Sequence, residues 1–552
     1  MSHAVLRGEP TAAQLHLDTI LDDLLEKNRD GDIHHPVARK RGSVTLSEVL
    51  YYSLSERPHD LYMINGTTDE RFTNDQILRV AVSIARASEA MGAKGKIAVL
   101  FVRNHQQMAA LYNGLIFAGV IPLFLEPSCT AFEMQHFINI VEPCLIFCDK
   151  NSYINVKNAL NRSTEIVAKV VIANDDVEMA KFIKNHSDDP TTYRVANVAP
   201  EAPAMMLPTS GSTGLPKAAV LTHQGLVAQL PCMWESYTKF PTPTKLVKLI
   251  STPQWMTHTI LMTGCLVYQV PLLMTPAKTT PEHILELYEK YRPTYALYPP
   301  PLGMAVANMA KPNQMASLET LVLTGSALPP DNALAVKSKL STNALVCNGY
   351  GMTEMHSFVA LPDRNTPEGS NGKVFNITEY KIADEEGNKL SHHQPGELCL
   401  RSELGIFKAY YNDDVAYNEC FSADGWLKTG DLFYVDENDY LFFVARKKFL
   451  IKYFNHHISP EEVESIIANV PGVQESVVCG TSKGAAAAIV VKPGFQVTRD
   501  QIHEAVSVLS EFKQLRGGIA FVEDLPRTHS GKARRADCAQ LLGDLLDAGL
   551  CY

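Results

Sequence analysis

The chain lacks any apolar run near the roughly 20 residues that a membrane-crossing helix requires; runs such as Ile97–Val102 and Gly119–Leu125 stop far short. A bilayer span is therefore not expected. Positive charge is not in excess either, with 50 Lys and Arg against 60 Asp and Glu, a net charge of −10 and no basic stripe beyond Arg446-Lys447-Lys448 and Arg534-Arg535. That balance offers no electrostatic track for a nucleic-acid backbone. The 11 cysteines follow no regular spacing, so no disulfide framework is expected and the thiols read as reduced and buried. No basic-then-apolar leader opens the chain, and it ends Gly549-Leu550-Cys551-Tyr552 rather than in Ser-Lys-Leu. The expected compartment is the cytoplasm.

What is present is an ordinary globular composition over 552 residues, 46% hydrophobic and 20% charged, enough for several structural units around a large core. After about 45 polar residues, β-length apolar segments alternate with helix-length amphipathic ones. Thr73 to Gln76 has capping-box spacing, and Ile77, Val80, Ala81, Ile84 and Ala85 follow at helical intervals. Lys96–Val102, Ile121–Leu125, Leu145–Cys148 and Val170–Ile172 read as strands covered on both faces, the grammar of parallel α/β sheets. From about Gly387 shorter alternating segments predict a β-rich subdomain over roughly 387–444. Leu450–Lys452 resembles a strand, and Ser459-Pro460-Glu461-Glu462 starts a helix with a Ser cap, Pro in the first turn and acid beside it. The expected fold class is thus a large α/β N-terminal domain, 1–444, of parallel sheets flanked by helices with that β-rich subdomain, followed by a small α+β C-terminal domain, 445–552. Ala485–Ala488 reads as a short low-complexity stretch.

Three stretches carry chemistry. Thr209-Ser210-Gly211-Ser212-Thr213-Gly214-Leu215-Pro216-Lys217 combines glycines, hydroxyls and one cation in the manner of an anion cradle. It departs from the Walker pattern, because Pro216 precedes the lysine and Ala218 stands where a magnesium-binding hydroxyl is required. Asn348-Gly349-Tyr350-Gly351-Met352-Thr353-Glu354 joins an aromatic able to stack on a purine to a hydroxyl and a carboxylate able to hold a hard cation. Gly425-Trp426-Leu427-Lys428-Thr429-Gly430-Asp431 puts a carboxylate just past a strand end, where it can accept from ribose hydroxyls.

Taken in order with Arg446 and Pro526-Arg-Thr-His-Ser-Gly-Lys532, these stretches resemble the adenylate-forming superfamily of acyl-CoA synthetases, peptide-synthetase adenylation domains and beetle luciferases over about residues 45–545. Leu450-Ile-Lys-Tyr453 and Leu515-Arg-Gly-Gly518 are similar to its insect luciferase and 4-coumarate–CoA ligase branch. The resemblance implies a ligase that uses ATP and Mg2+ to join a small carboxylic acid to AMP and then passes the acyl group to coenzyme A. It places Thr209, Ser210, Gly211, Ser212, Thr213, Gly214 and Lys217 at the β- and γ-phosphates, Thr353 near the α-phosphate and Glu354 on magnesium. Gly325, Ser326, Ala327, Asn348, Gly349 and Tyr350 line the adenine, and Asp431 with Arg446 holds the ribose. Lys532 becomes the catalytic cation bridging carboxylate and α-phosphate, and rotation of a mobile C-terminal domain withdraws it and presents the strand around Lys452. Trp255 and His258 fall in the acyl region, Trp255 filling volume that would admit a long chain.

Departures from the pattern keep alternatives open. Ala445 stands where the family carries Asp or Lys at the hinge, and Phe454-Asn455 replaces a Lys-Gly whose glycine lets a pantetheine arm pass. These features suit a catalytically impaired nucleotide-binding member, or an adenylating enzyme with another acceptor, including oxygen in a luciferase-like reaction. The pairs His392-His393 and His456-His457 read as structural or surface residues, since no cysteine or acid cluster completes a metal site. The residues leave open the identity of the acid and the oligomeric state.

Overall fold

The capping-box spacing at Thr73 does open a helix. Asn74–Ala90 follows, with the Thr73 hydroxyl accepting from the Gln76 N–H and the Gln76 side chain accepting from the Thr73 N–H. In this computed structural model the described residues are 9–27, 41–163, 166–209, 216–325, 328, 330–447, 451–454, 456–458, 460–526 and 535–549, with backbone alone at 330–332, 445, 446, 457, 461, 465 and 536.

The strand Ile97–Phe101 is buried at every residue. It lies inside a seven-stranded sheet, parallel to Ile121–Phe124 on one side and to Leu145–Cys148 on the other, with Lys169–Ile172 at the edge. The β-branched and aromatic runs lack alternation because helices cover both faces. Beyond Ile121–Phe124 come Pro203–Thr209, Lys217–Thr222 and Ala409–Tyr410, the last two antiparallel to their neighbours.

A second, eight-stranded sheet is parallel through Leu345–Met352, Thr320–Thr324, Tyr295–Tyr298, Val247–Lys248, Leu272–Met274 and Leu61–Asn65, with antiparallel strands Ser357–Ala360 and Arg71–Thr73 at its edges. The β-rich region is a four-stranded antiparallel sheet of Glu379–Ala383, Gly396–Arg401, Leu427–Val435 and Leu441–Arg446. One apolar cluster runs through all three sheets, including Leu100, Leu207, Val322, Leu400 and Phe433.

After Lys447 the chain forms the hairpin Ile451–Tyr453 with His456–Ile458, then the sheet Val473–Thr481, Gly484–Val491 and Gly518–Val522, covered by Pro460–Ile467, Arg499–Val506 and Arg535–Asp547. Its core is separate. The alanine run is a structural strand: Ala485–Ala488 are fully buried at the centre of this sheet, where small side chains let helices approach both faces. The Ser459 cap lies outside the described residues, and the helix begins at Pro460.

Ten described cysteines are free thiols. Among the described residues no helix is long and apolar enough to cross a membrane, and no group of three His, Cys, Asp or Glu residues is placed to hold a metal.

Candidate active site

The Ser/Gly-rich stretch connects two strands of the seven-stranded sheet. Thr209 ends one and Lys217 begins the next, and the two are paired across the antiparallel ladder. Ser210, Gly211, Ser212, Thr213 and Gly214 lie outside the described residues. The Lys217 ammonium is 3.5 Å from a carboxylate oxygen of Asp413 and 5.3 Å from the ring centre of Tyr410. Tyr410 is held there because its short edge strand pairs with Lys217–Thr222.

The strand Leu345–Met352 carries the second stretch, whose Glu354 reaches the Tyr410 that stands beside Lys217. The Asn348 amide donates to the Leu323 carbonyl at 2.9 Å, and its oxygen accepts from Asn371 at 3.0 Å, so the side chain is oriented from both ends. A Cβ at Gly351 would stand 2.7 Å from the Ser357 carbonyl oxygen and 2.9 Å from the Phe358 Cα, so only glycine permits this approach of the two strands. Tyr350 packs edge-on against Phe433 with centroids 4.7 Å apart. Its hydroxyl donates to the nearly buried Asp431 carboxylate at 2.9 Å.

The strand gives way to a single turn, Thr353–Met355. There Glu354 Oε1 accepts from the Tyr410 hydroxyl at 2.7 Å. Burial and the adjacent carboxylate push the Tyr410 phenol far above its ordinary range, so it stays a proton donor. His356 closes the turn in the left-handed region at φ 62°. Its Nε2 accepts from the Thr222 N–H at 3.2 Å and its Nδ1 donates to the Gly405 carbonyl at 3.2 Å. Burial lowers its pKa to about 4, consistent with a neutral ring that donates on one side and accepts on the other.

Glu354 therefore sits one side chain away from Lys217, with Tyr410 between them. A magnesium ion that takes most of its ligands from phosphate oxygens and water needs only one or two protein carboxylates. Glu354, fixed by Tyr410 and next to Thr353 in the same turn, fits that demand.

Gly325 follows the strand Thr320–Thr324 with φ 86°. Lys452, on the C-terminal hairpin, places its Nζ 3.5 Å from the Gly325 carbonyl oxygen. Ser326, Ala327 and Lys532 lie outside the described residues. Arg446 pairs through its backbone with Asp431, and its side chain is likewise outside. Trp255 is half-buried ahead of the helix Met256–Val267. With Thr209, Pro216, Gln254, His136 and His456 it lines a cavity of about 130 Å³ between the two lobes. His258 is fully buried one turn further on and does not line this cavity; burial lowers its pKa to about 3. Of the two roles open to it, His456 takes the structural one: its ring stacks on Phe512 with centroids 3.9 Å apart. Phe454 occupies the hairpin turn at φ 51° with its side chain 74% exposed, away from the cavity lining.

The structure thus gathers Thr209, Lys217, Thr353 and Glu354 at one end of the strand Leu345–Met352 and ties Tyr350 to Asp431 along it. Tyr410, Asp413 and His356 carry contacts that the sequence reading did not anticipate. Tyr410 lies in a two-residue strand too short to show alternation, and the partner of His356 is 134 positions away.

A family model described as AMP-binding enzyme matches residues 52–411, and one described as AMP-binding enzyme C-terminal domain matches residues 462–532. A 4-coumarate–CoA ligase of Vanilla planifolia is 27% identical over 548 residues, covering 95% of this chain and 98% of the relative. A luciferin 4-monooxygenase of Photuris pensylvanica is 28% identical over 546 residues, covering 92% and 96%. Among solved structures, the amide bond synthetase McbA of Marinactinospora thermotolerans superposes with a TM-score of 0.77 at 19% identity, over 90% of this chain and 99% of its own.

Proposed function

The chain belongs to the AMP-binding enzyme family, and from that premise we propose that it is an ATP-dependent acid–thiol ligase that forms an acyl-adenylate and transfers the acyl group to coenzyme A. One observation carries the reading. Within the seven residues from Asn348 to Glu354, one side chain reaches the carboxylate suited to a ribose, Asp431, while another reaches Tyr410 beside the phosphate-loop lysine. That spacing supports a nucleotide lying along the strand with its base near Tyr350 and its phosphates toward Lys217.

In the first half-reaction a carboxylate oxygen attacks the α-phosphorus, the bond to the β-phosphate oxygen breaks and pyrophosphate leaves. Two anions must be brought together, so positioned positive charge and donors lower the barrier. Lys217 faces the phosphates, and Lys532 is assigned to the developing charge at the α-phosphate. Glu354 would hold a magnesium ion, which when bound would supply positive charge against the phosphate oxygens. Trp255 narrows the cavity and favours a short or aromatic acid. In the second half-reaction the thiol sulfur attacks the acyl carbon, the mixed anhydride opens and AMP leaves with the electron pair. Two features favour coenzyme A as acceptor: the cavity between Trp255 and His456, and the Lys452 hairpin set over Gly325.

Incubation with ATP, magnesium and a panel of acetate, hexanoate, benzoate and cinnamate tests the first step through exchange of labelled pyrophosphate into ATP. Added coenzyme A then tests thioester formation. Lys532→Ala is expected to abolish exchange while nucleotide binding persists. Absence of exchange with every acid overturns the reading.

A further inference from the structure

At the border of the cavity between the lobes stands a cluster, Glu133, Glu462 and Lys513, to which the proposed chemistry gives no role. Lys513 lies in the short turn Glu511–Lys513 of the C-terminal unit, and its side chain is only 9% exposed. Its Nζ stands 2.8 Å from Glu133 of the N-terminal lobe and 2.8 Å from Glu462 of its own lobe, whose side chains are 5% and 2% exposed. Neighbouring polar contacts reinforce the junction: Ser510 donates to Glu133, and the Thr130 hydroxyl donates to the Val508 carbonyl at 2.5 Å.

Glu133 is oriented from within its own lobe. It is the third residue of the helix Ala131–Val141, and its carboxylate closes a capping box by accepting from the Thr130 N–H at 2.9 Å. The same carboxylate therefore finishes a helix and presents its other oxygen to the second lobe. On the C-terminal side, Lys513 adjoins Phe512, which stacks on His456 of the Lys452 hairpin. The cross-lobe pair thus connects through Phe512 and His456 to the residue that stands over Gly325.

The chemistry of the contact suits a reversible one. Phe132 of the N-terminal lobe adds an apolar contact to the C-terminal core, and separating such a contact exposes it to water. A buried ion pair gains little net free energy, since much of its attraction offsets desolvation. On opening, Glu133 recovers its hydration and Lys513 keeps Glu462. Orientation is specified without being frozen.

Resting on the two-step reading above, we propose that Lys513, clasped between Glu133 and Glu462, is a positioning residue that holds the Lys452 hairpin over the nucleotide site for the transfer step. The two carboxylates act in opposite directions. Glu133 pulls Lys513 across the interface, whereas Glu462 competes for it from its own lobe. Glu133→Gln keeps the capping box, which accepts Gln at this position, and removes only the charge. Glu462→Gln leaves the lysine wholly to Glu133.

Two measurements test this on the full chain. Spin labels at Val177→Cys and Glu504→Cys, exposed positions of the two lobes, report lobe orientation as a distance distribution by pulsed dipolar spectroscopy. Glu133→Gln and Lys513→Met are expected to reduce the population matching this structure by about tenfold, within the range of free energies that couple two sites. Glu462→Gln is expected to hold or increase it. With an acid from the panel and coenzyme A, thioester formation falls by a similar factor in the first two variants, and by more than pyrophosphate exchange does. Unchanged distances in Glu133→Gln and Lys513→Met, or the same shift in both glutamine variants, overturn the proposal. So does an equal loss of both half-reactions. Absence of exchange in the parent overturns the ligase reading instead, and the distance measurement still judges the clasp.

Discussion

The Tyr350 hydroxyl donates to the Asp431 carboxylate at 2.9 Å, although the two residues lie in different sheets and 81 positions apart. The bond fixes the aromatic ring relative to the carboxylate, so the two groups proposed for base and ribose are held together. Asp431→Asn keeps the shape and removes the charge. It is expected to raise the KM for ATP in pyrophosphate exchange by about tenfold, the scale of a charge-assisted hydrogen bond. Tyr350→Phe, which leaves the carboxylate in place, has the smaller effect. Equal KM values for parent and Asp431→Asn would remove Asp431 from the nucleotide site.

Tyr410 is expected to govern the magnesium requirement without touching the ion. Its hydrogen bond orients Glu354, and loss of such an outer partner costs about tenfold or more in metal affinity. Tyr410→Phe should shift half-maximal exchange to correspondingly higher magnesium, with the rate recovered at saturation. Glu354→Gln should not recover fully, and EDTA should abolish exchange in every variant. A magnesium titration of exchange provides the check.

Lys248 is fully buried in the eight-stranded sheet, its Nζ no closer than 3.4 Å to the nearest carbonyls, and burial depresses its pKa from 10.5 to about 7. Between these values the unfolded chain binds more protons than the folded one, so stability rises with pH from about 7 toward 10.5. At and below pH 7 the full cost is present, on the order of 5 kcal/mol. Lys248→Met is therefore expected to raise the Tm at neutral pH and to flatten this pH dependence. Thermal unfolding of both proteins from pH 6 to 10 tests it, and an unchanged slope would contradict the assignment.

The thiols are expected to be inert in the native protein. Burial raises Cys148, Cys347 and Cys479 to about 12, Cys399 to about 11, and moves Cys129 and Cys232 well upward. The thiolate is the reactive form. Labelling by a thiol reagent should be slow at these six positions at pH 8 and become rapid on denaturation, read by mass spectrometry of labelled peptides. Rapid native labelling at any of these positions would contradict the burial seen here.

Much of the architecture was legible along the chain because it depends on local signals. The Thr73 capping box marked the start of its helix, and the unbroken apolar run around Ile97 marked a doubly covered strand. The alanine run at Ala485–Ala488 was not legible as a strand, since its burial comes from helices distant in sequence. His456 read as structural or surface, and only packing chose between the two, because its cover, Phe512, lies 56 residues later. For the site, the Gly, Thr and Asp stretches named their own residues, whereas Tyr410, Asp413 and His356 entered through pairings across more than 50 positions.

The order of residues by itself determined the helix caps, the strand-forming runs and the clustering of hydroxyls, glycines and acids, since these arise from backbone preferences and side-chain chemistry within a few positions. Only the tertiary structure decided that Tyr410 stands between Glu354 and Lys217, that Lys452 reaches Gly325 and that Lys513 is shared between Glu133 and Glu462. Hydrogen bonds and buried ion pairs act over a few ångströms, so they exist only after distant strands and helices have been packed into contact.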